Sequence, residues 1–271
     1  MNKSKNTSIL ITGSSKGFGL LFAEALAQEG HRVFATLRDP TQDTPLKLLP
    51  AKYPNLSIHK LDVADYTQIG ELLPQLGSEI GVLINNAGYG LIGTQAEITP
   101  EQLERQFRVN LFGAAELTRQ TLPLLQKSQA GGLVINISSI ASYLGLPTMG
   151  AYSATKTALN HLSMALAVEK GQEGLSVMVV QPGPFETEFR QSAQRVGVGE
   201  GQSHQSMFSA QEPPDKVVKL VCDLVRRKLE GRLGTYQEIP IGKGSLLLNL
   251  LARLLPPQAL VKALARGFKK M

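Results

Sequence analysis

Cysteine is almost absent from this chain of 271 residues: Cys222 stands alone, so no intrachain disulfide can form, and a reducing, cytoplasmic setting is expected. Its neighbours Val217, Val218, Val221 and Val225 follow helical spacing, which marks a core position rather than a nucleophile. No run reaches ~18 uninterrupted apolar residues, which argues against a transmembrane helix. The short polar stretch 1–8, leading at once into a strand-like run, does not fit a secretory leader. The four histidines (His31, His59, His161, His204) lack the spacing of metal ligands, and no metal is expected. Repeats at solenoid periods and low-complexity tracts are also missing. Acidic residues are missing from one place only. Residues 243–271 contain six Lys and Arg and no Asp or Glu, so they account for the whole net charge of +6. The rest of the chain is balanced, so a general nucleic-acid-binding surface is not indicated; a basic C-terminal end is.

What is present is an alternation. Short apolar runs at 8–12, 31–36, 56–61, 82–84, 133–137 and 175–180 are separated by helical patterns at about 19–29, 65–76, 100–126 and 152–170. A further helix is predicted from Pro213-Pro214 to about Glu230, and a last strand at 234–239. The runs lack strict period-2 patterning, the mark of a parallel sheet covered on both faces. The expectation is a three-layer α/β/α, doubly wound domain with about seven parallel strands and a C-terminal helical extension. One domain is expected over 1–271, with its core at 8–190 and 213–240.

The first strand ends in Gly13-Ser14-Ser15-Lys16-Gly17-Phe18-Gly19 and opens a helix. Strand, glycine turn and helix N-terminus together form a setting in which backbone N–H groups cradle a pyrophosphate. The spacing here is G-x-x-x-G-x-G. After the second strand the chain reads Arg38-Asp39. In dinucleotide folds these positions face the adenosine ribose, where a base favours a 2′-phosphate and an acid a free 2′-hydroxyl. Arg38 and Lys16 argue for NADP(H) over NAD(H); Asp39 is the feature on the other side.

Tyr152 and Lys156, four residues apart, share one helix face. An ammonium near a phenol favours the phenolate, so a lowered pKa is expected for Tyr152. Such a phenol exchanges protons with a substrate oxygen, which Ser139 is placed to hold by a hydrogen bond.

These features occur in one order: Thr12-Gly13-x-x-x-Gly17-x-Gly19, Asp62, Asn85-Asn86-Ala87-Gly88, Asn110, Ser139, Tyr152-x-x-x-Lys156 and Pro182-Gly183-x-x-x-Thr187. In this the chain resembles the short-chain dehydrogenase/reductase family over about residues 8–190. The resemblance implies a Rossmann-type sheet that binds the nucleotide through Gly13, Ser15, Lys16, Gly17, Phe18, Gly19, Arg38, Asp62, Val63, Asn86, Ala87, Gly88, Pro182, Gly183 and Thr187. Asp62 would bond the adenine amine, Asn86 would brace the sheet beside the adenosine half, and Thr187 would hold the nicotinamide carboxamide. Tyr152 would be the general acid in reduction and the general base in oxidation. Lys156 would bind the nicotinamide ribose and depress the pKa of Tyr152. Ser139, 13 residues before Tyr152, would bind the substrate oxygen, with Ser138 on the other face. Asn110 would hold a water linking Lys156 to solvent.

The implied activity is NADP(H)-dependent hydride transfer between nicotinamide and a carbonyl or a primary or secondary alcohol. The segment 35–39 is similar to the subgroup of 17β-hydroxysteroid and retinol dehydrogenases, which points to a lipophilic alcohol, ketone or aldehyde. A carrier-linked 3-oxoacyl reductase is the alternative enzyme; a non-catalytic dinucleotide sensor is the alternative of another class. Relatives pair through the helices at 100–126 and 152–170, so a homodimer or homotetramer is expected.

Beyond Thr187 no motif guides the reading. Residues 190–212 are polar and rich in Gly and Ser and are expected to form a lid over the substrate. Residues 245–255 are leucine-rich, break at Pro256-Pro257, and resume as a basic amphipathic helix. Two readings compete. The favoured one buries the leucines against the cleft or a second subunit; the other lays the basic helix on an anionic membrane surface.

Overall fold

Seven parallel strands form the sheet of the computed structural model, which describes residues 6–197 and 212–269. They are β1 (Ser8–Ile11), β2 (Arg32–Leu37), β3 (Leu56–Lys60), β4 (Val82–Asn85), β5 (Leu133–Ile137), β6 (Ser176–Pro182) and β7 (Tyr236–Ile241), in the order β3-β2-β1-β4-β5-β6-β7. The order reverses at β1, whose neighbours are β2 and β4: Leu10 is in register with Phe34 on one side and Leu83 on the other. A crevice opens at such a switch point, beyond the carboxyl ends of the strands.

The apolar runs are continuous because both faces are covered. Ile9 and Ile11 turn to one face and join Phe22, Leu26, Val33, Ile84, Val221 and Val225. Leu10, between them, turns to the other and joins Phe34, Ile69, Leu83, Leu117, Val134 and Val177. Helices α1 (Gly17–Gln28) and α6 (Asp215–Leu229) supply the first layer; α2 (Tyr66–Leu72) and α4 (Gly113–Leu125) supply the second. Side chains such as Leu10, Leu26 and Leu83 are fully buried, each contributing about 1.5–3 kcal/mol of transfer free energy. The expected three-layer, doubly wound α/β/α architecture is therefore present. Cys222 lies in the first layer, where burial pushes its thiol up to about 12, so it is inert.

Several boundaries differ from expectation. The helix expected at 100–126 is not continuous. A capping box, Thr99 with Gln102, starts α3 (Pro100–Phe107), and a π-helical turn at Arg108–Phe112 separates it from α4. Such turns concentrate at functional sites, and this one contains Asn110. Strand β6 runs on to Pro182, and β7 is shifted two residues beyond the expected 234–239. A parallel pair of short strands, Leu91–Ile92 and Gln194–Arg195, was not foreseen. Of the expected lid, residues 198–211 lie outside the described residues.

Helix α5 (Gly150–Lys170) carries Tyr152 and Lys156. The C-terminal extension comprises α7 (Ser245–Leu254) and α8 (Pro257–Lys269). Ser245 Oγ on Ile241 O (3.0 Å), Asn249 Nδ2 on Tyr143 Oη (3.0 Å) and Arg253 with Glu238 (3.3 Å) fasten α7 to the body. The burial favoured for its leucines holds for one stripe only. Leu248, Ala252, Leu260 and Leu264 pack on Ala141, Leu144, Leu146 and Tyr152, while Leu246 (72 %), Leu250 (54 %) and Leu254 (70 %) are exposed. Among the described residues no helix is long and apolar enough to cross a membrane.

Candidate active site

The turn after β1 is closed to side chains. Gly13 has φ +68°, and a Cβ there would lie 2.8 Å from Ala87 Cα. One on Gly19 would lie 2.3 Å from Gly13 O and 2.5 Å from Asn86 Nδ2. Thr12 and Asn86 lock the turn to the end of β4. The Asn86 and Ala87 amides donate to Thr12 Oγ1 (3.0 and 2.9 Å), and Asn86 Nδ2 donates to Thr12 O (2.9 Å) and Gly13 O (3.1 Å). What faces the cleft is backbone, followed at once by the N-terminus of α1, a cradle that suits a pyrophosphate. Ser15, Lys16, Gly17 and Phe18 line the same cleft.

At the far end of the cradle, Arg38 and Lys16 are exposed and line the cleft. Asp39 is not among the residues lining the cleft: its carboxylate accepts from Thr41 N (2.9 Å) and Thr41 Oγ1 (2.6 Å), bonds that hold it below the usual carboxylate range. Asp62 follows β3 at the cleft edge, where Oδ1 accepts from Ala64 N (3.0 Å), and Val63 lies beside it.

At the other end, Tyr152 and Lys156 are 5 % and 4 % exposed. Lys156 Nζ donates to Ile137 O (2.8 Å) at the end of β5 and sits 5.8 Å from the centre of the Tyr152 ring. The Ser139 hydroxyl lines the cleft with the phenol, whose pKa it lowers, and accepts from Ala141 N (3.1 Å). Ser138 turns to α5 instead, with Oγ 2.6 Å from Asn160 Oδ1, as the alternation of a strand requires. Asn110 clamps the peptide of Tyr89: Oδ1 accepts from Tyr89 N (3.0 Å) and Nδ2 donates to Tyr89 O (3.0 Å).

The expected electrostatics need correction. Burial, not the ammonium, dominates the phenol and pushes Tyr152 up to about 12, with the Ser139 hydrogen bond opposing the rise. Burial likewise brings Lys156 down to about 8. The spacing on the helix is as expected, but a sequence does not display desolvation, and desolvation is the larger influence here. At neutral pH the chain alone thus presents a protonated phenol beside a hydroxyl, in a cleft of ≈ 740 Å³. A protonated phenol is a proton donor, and its neighbours are aimed at an oxygen.

The short chain dehydrogenase model matches residues 7–196. The chain belongs to the short-chain dehydrogenase family. A 3-ketodihydrosphingosine reductase of Bacteroides thetaiotaomicron is 34 % identical over 235 residues, 81 % of this chain and 84 % of that one. Human retinol dehydrogenase 8 is 32 % identical over 67 % of this chain, which spans 60 % of its length. Among solved structures, a short-chain dehydrogenase from Streptomyces avermitilis superposes with a TM-score of 0.79, at 29 % identity over 98 % of this chain and 97 % of that one. ElxO with NADP bound gives 0.76, at 26 % identity over 89 % and 99 %. The protein is accordingly an oxidoreductase of the short-chain type, a class that binds a nicotinamide nucleotide and a small-molecule substrate.

Within this short-chain dehydrogenase, every site residue expected from sequence lines the cleft except Gly19 and Asn110, which stand behind it. Asn86, Ala87 and Gly88 lie at the end of β4; Pro182, Gly183 and Thr187 lie at the end of β6. Others were not foreseen. Thr155, between Tyr152 and Lys156, receives Asn110 Nδ2 (3.3 Å) and donates to Tyr152 O (2.7 Å), tying the π turn to the start of α5. Gln106, fully buried, donates to Tyr89 O (2.8 Å). Phe189 sets its ring 5.5 Å from that of Tyr152, and Leu146, Met149 and Ile92 complete an apolar wall. Thr155 lies inside the Tyr152–Lys156 motif and Phe189 close to Thr187 in sequence; Ile92, Leu146 and Met149 reach the cleft through tertiary packing.

Proposed function

We propose that this enzyme transfers hydride between NADP(H) and a lipophilic carbonyl or alcohol, with Tyr152, Ser139, Lys156 and Asn110 as the catalytic set. The observation that carries this is the meeting of Ser139, Tyr152 and Lys156 in one cleft, the phenol and the ammonium both buried, beside a wall of Ile92, Leu146, Met149 and Phe189. When bound, the nicotinamide supplies or accepts the hydride. Tyr152 donates its proton to the oxygen that gains charge in reduction and takes it back in oxidation. Ser139 donates a hydrogen bond to the same oxygen. Lys156 holds the nicotinamide ribose and restores the proton to Tyr152. Asn110 keeps the Tyr89 peptide and the π turn in place, so that a water there relays protons between Lys156 and solvent.

For the nucleotide, the glycine cradle receives the pyrophosphate, Asp62 takes the adenine amine, and Thr187 takes the carboxamide. Arg38 and Lys16 bind a 2′-phosphate; the diversion of Asp39 to Thr41 and the NADP-bound neighbour support this over NAD(H). A lipophilic substrate is supported by Ile92, Leu146, Met149 and Phe189 on the wall and by relatives named for retinol and 3-ketodihydrosphingosine. The second of these names also favours the reading as a ketone reductase. In this proposal residues 1–271 act as one catalytic domain, and copies pair through the exposed Phe112, Leu162, Met164 and Val168 near and along α4 and α5.

A screen of lipophilic ketones, aldehydes and alcohols, following NADPH absorbance, tests the reaction. Turnover of at least one such compound that disappears in Tyr152→Phe, with NADPH affinity retained, is expected. NADPH binding with equal insensitivity of every assay to Tyr152→Phe would instead indicate a sensor.

A further inference from the structure

Helix α7 turns almost nothing but leucine to solvent. Its sequence places Leu246, Leu250 and Leu254 at i, i+4 and i+8, with Leu247 and Leu251 beside them; their exposures are 72, 54, 70, 61 and 39 %. Leu255 (37 %), at the end of α7, and Val261 (64 %), on α8, are exposed as well. Single exposed leucines need no explanation, but five on one side of a ten-residue helix do. The patch is not the leftover of a loosely attached tail, because the opposite side of the same helices carries Leu248, Ala252, Leu260 and Leu264 against Tyr152 and its neighbours.

The charges beside the patch are of one sign. Lys243, Arg253, Lys262 and Arg266 are exposed, Lys269 and Lys270 follow in sequence, and residues 243–271 contain no Asp or Glu. The acids of the neighbouring body are engaged: Glu238 with Arg253, Gln181 and Tyr236, and Glu212 with Lys216 and the Lys243 amide. A second copy seated on this patch by a twofold axis would set this wholly basic segment against itself, a repulsive arrangement. Leucines rimmed by Lys and Arg, on a helix lying flat against its own body, fit a surface that is apolar inside and negative at its edge.

We propose that α7 and α8 dock this enzyme on an anionic lipid bilayer, leucines in the acyl boundary and Lys and Arg at the headgroups. The inner side of the same helices roofs the cluster around Tyr152, so docking brings the substrate end of the cleft to the lipid surface. This inference concerns the surface alone and stands apart from the reaction proposed above.

The test is co-sedimentation of the full-length protein with phosphatidylcholine vesicles, with and without phosphatidylglycerol. Sedimentation with the anionic vesicles at low salt, about tenfold weaker at high salt or on neutral vesicles, is expected. Leu246→Glu/Leu250→Glu/Leu254→Glu should weaken vesicle binding by at least ~100-fold while leaving the melting temperature unchanged. Lys262→Glu/Arg266→Glu, which leaves the leucines alone, should abolish the preference for anionic vesicles. Three results would overturn the proposal: no binding to anionic vesicles at low salt, binding that survives the triple substitution, or a wild-type oligomer that the triple substitution takes apart in sedimentation velocity.

Discussion

The two ends of the cleft are built by different physics. At the nucleotide end the chain is held by backbone: glycines at φ values side chains avoid, a Thr12–Asn86 lock, and contacts in which one added methyl would clash at 2.3 Å. At the substrate end it is held by side-chain packing from distant segments: Ile92, Leu146, Phe189, and the undersides of α7 and α8. A backbone site tolerates few residue types, so it leaves a local signature. A packed site accepts any apolar set that fills the space, so it leaves almost none.

Substitutions at the two ends should therefore fail differently. The largest effect belongs to the junction between them. Tyr152→Phe removes the proton donor and should lower kcat by about 10³-fold, with NADPH affinity unchanged by titration. Gly19→Ala comes next. Its Cβ has backbone on one side and Asn86 on the other, so about 100-fold loss of NADPH affinity is expected, with a fall in stability of ~1–3 kcal/mol by denaturant unfolding. A well-folded Gly19→Ala variant with normal affinity would erase the distinction drawn here. Arg38→Ala should raise the dissociation constant of NADPH about 10–100-fold and leave that of NADH unchanged, the loss of a charge-assisted contact to phosphate. Equal wild-type affinities for the two nucleotides would remove the case for NADP(H).

The smallest expected effect is one of stability. The folded pKa of Lys156 is brought from 10.5 to about 8, so between those values the unfolded chain holds the proton that the folded chain releases. Stability of the nucleotide-free protein should thus rise with pH across that window, and the full cost of the buried charge is present below it. Lys156→Met should raise the stability of the nucleotide-free protein at pH 7 by about 1–3 kcal/mol, read by denaturant unfolding.

Much of this is legible in the sequence. Continuous apolar runs such as Ile9-Leu10-Ile11 announced a sheet buried on both faces, and the glycine turn announced the cradle. Ser139 was separable from Ser138 because strands alternate. The π turn at Arg108–Phe112 was not legible, since its residues read as ordinary helix and the extra residue is accommodated by the clamp from Asn110 to Tyr89. Nor were the paired strands at Leu91–Ile92 and Gln194–Arg195, which have no periodicity to show at two residues each. The leucines of α7 misled for a related reason. Composition says that such a helix seeks apolar surroundings, and only the fold says that one side has found them and the other has not.

The clearest divergence concerns the phenol. Spacing alone puts an ammonium next to Tyr152 and predicts a tyrosinate near neutrality; burial of both groups predicts the reverse. Tyrosinate absorbance of the nucleotide-free protein, wild type minus Tyr152→Phe, titrated from pH 6 upward, decides between them. A Tyr152 contribution that stays absent until about pH 11 or above is expected, for a phenol pushed up to about 12. A tyrosinate signal from Tyr152 at pH 7–8 would contradict it.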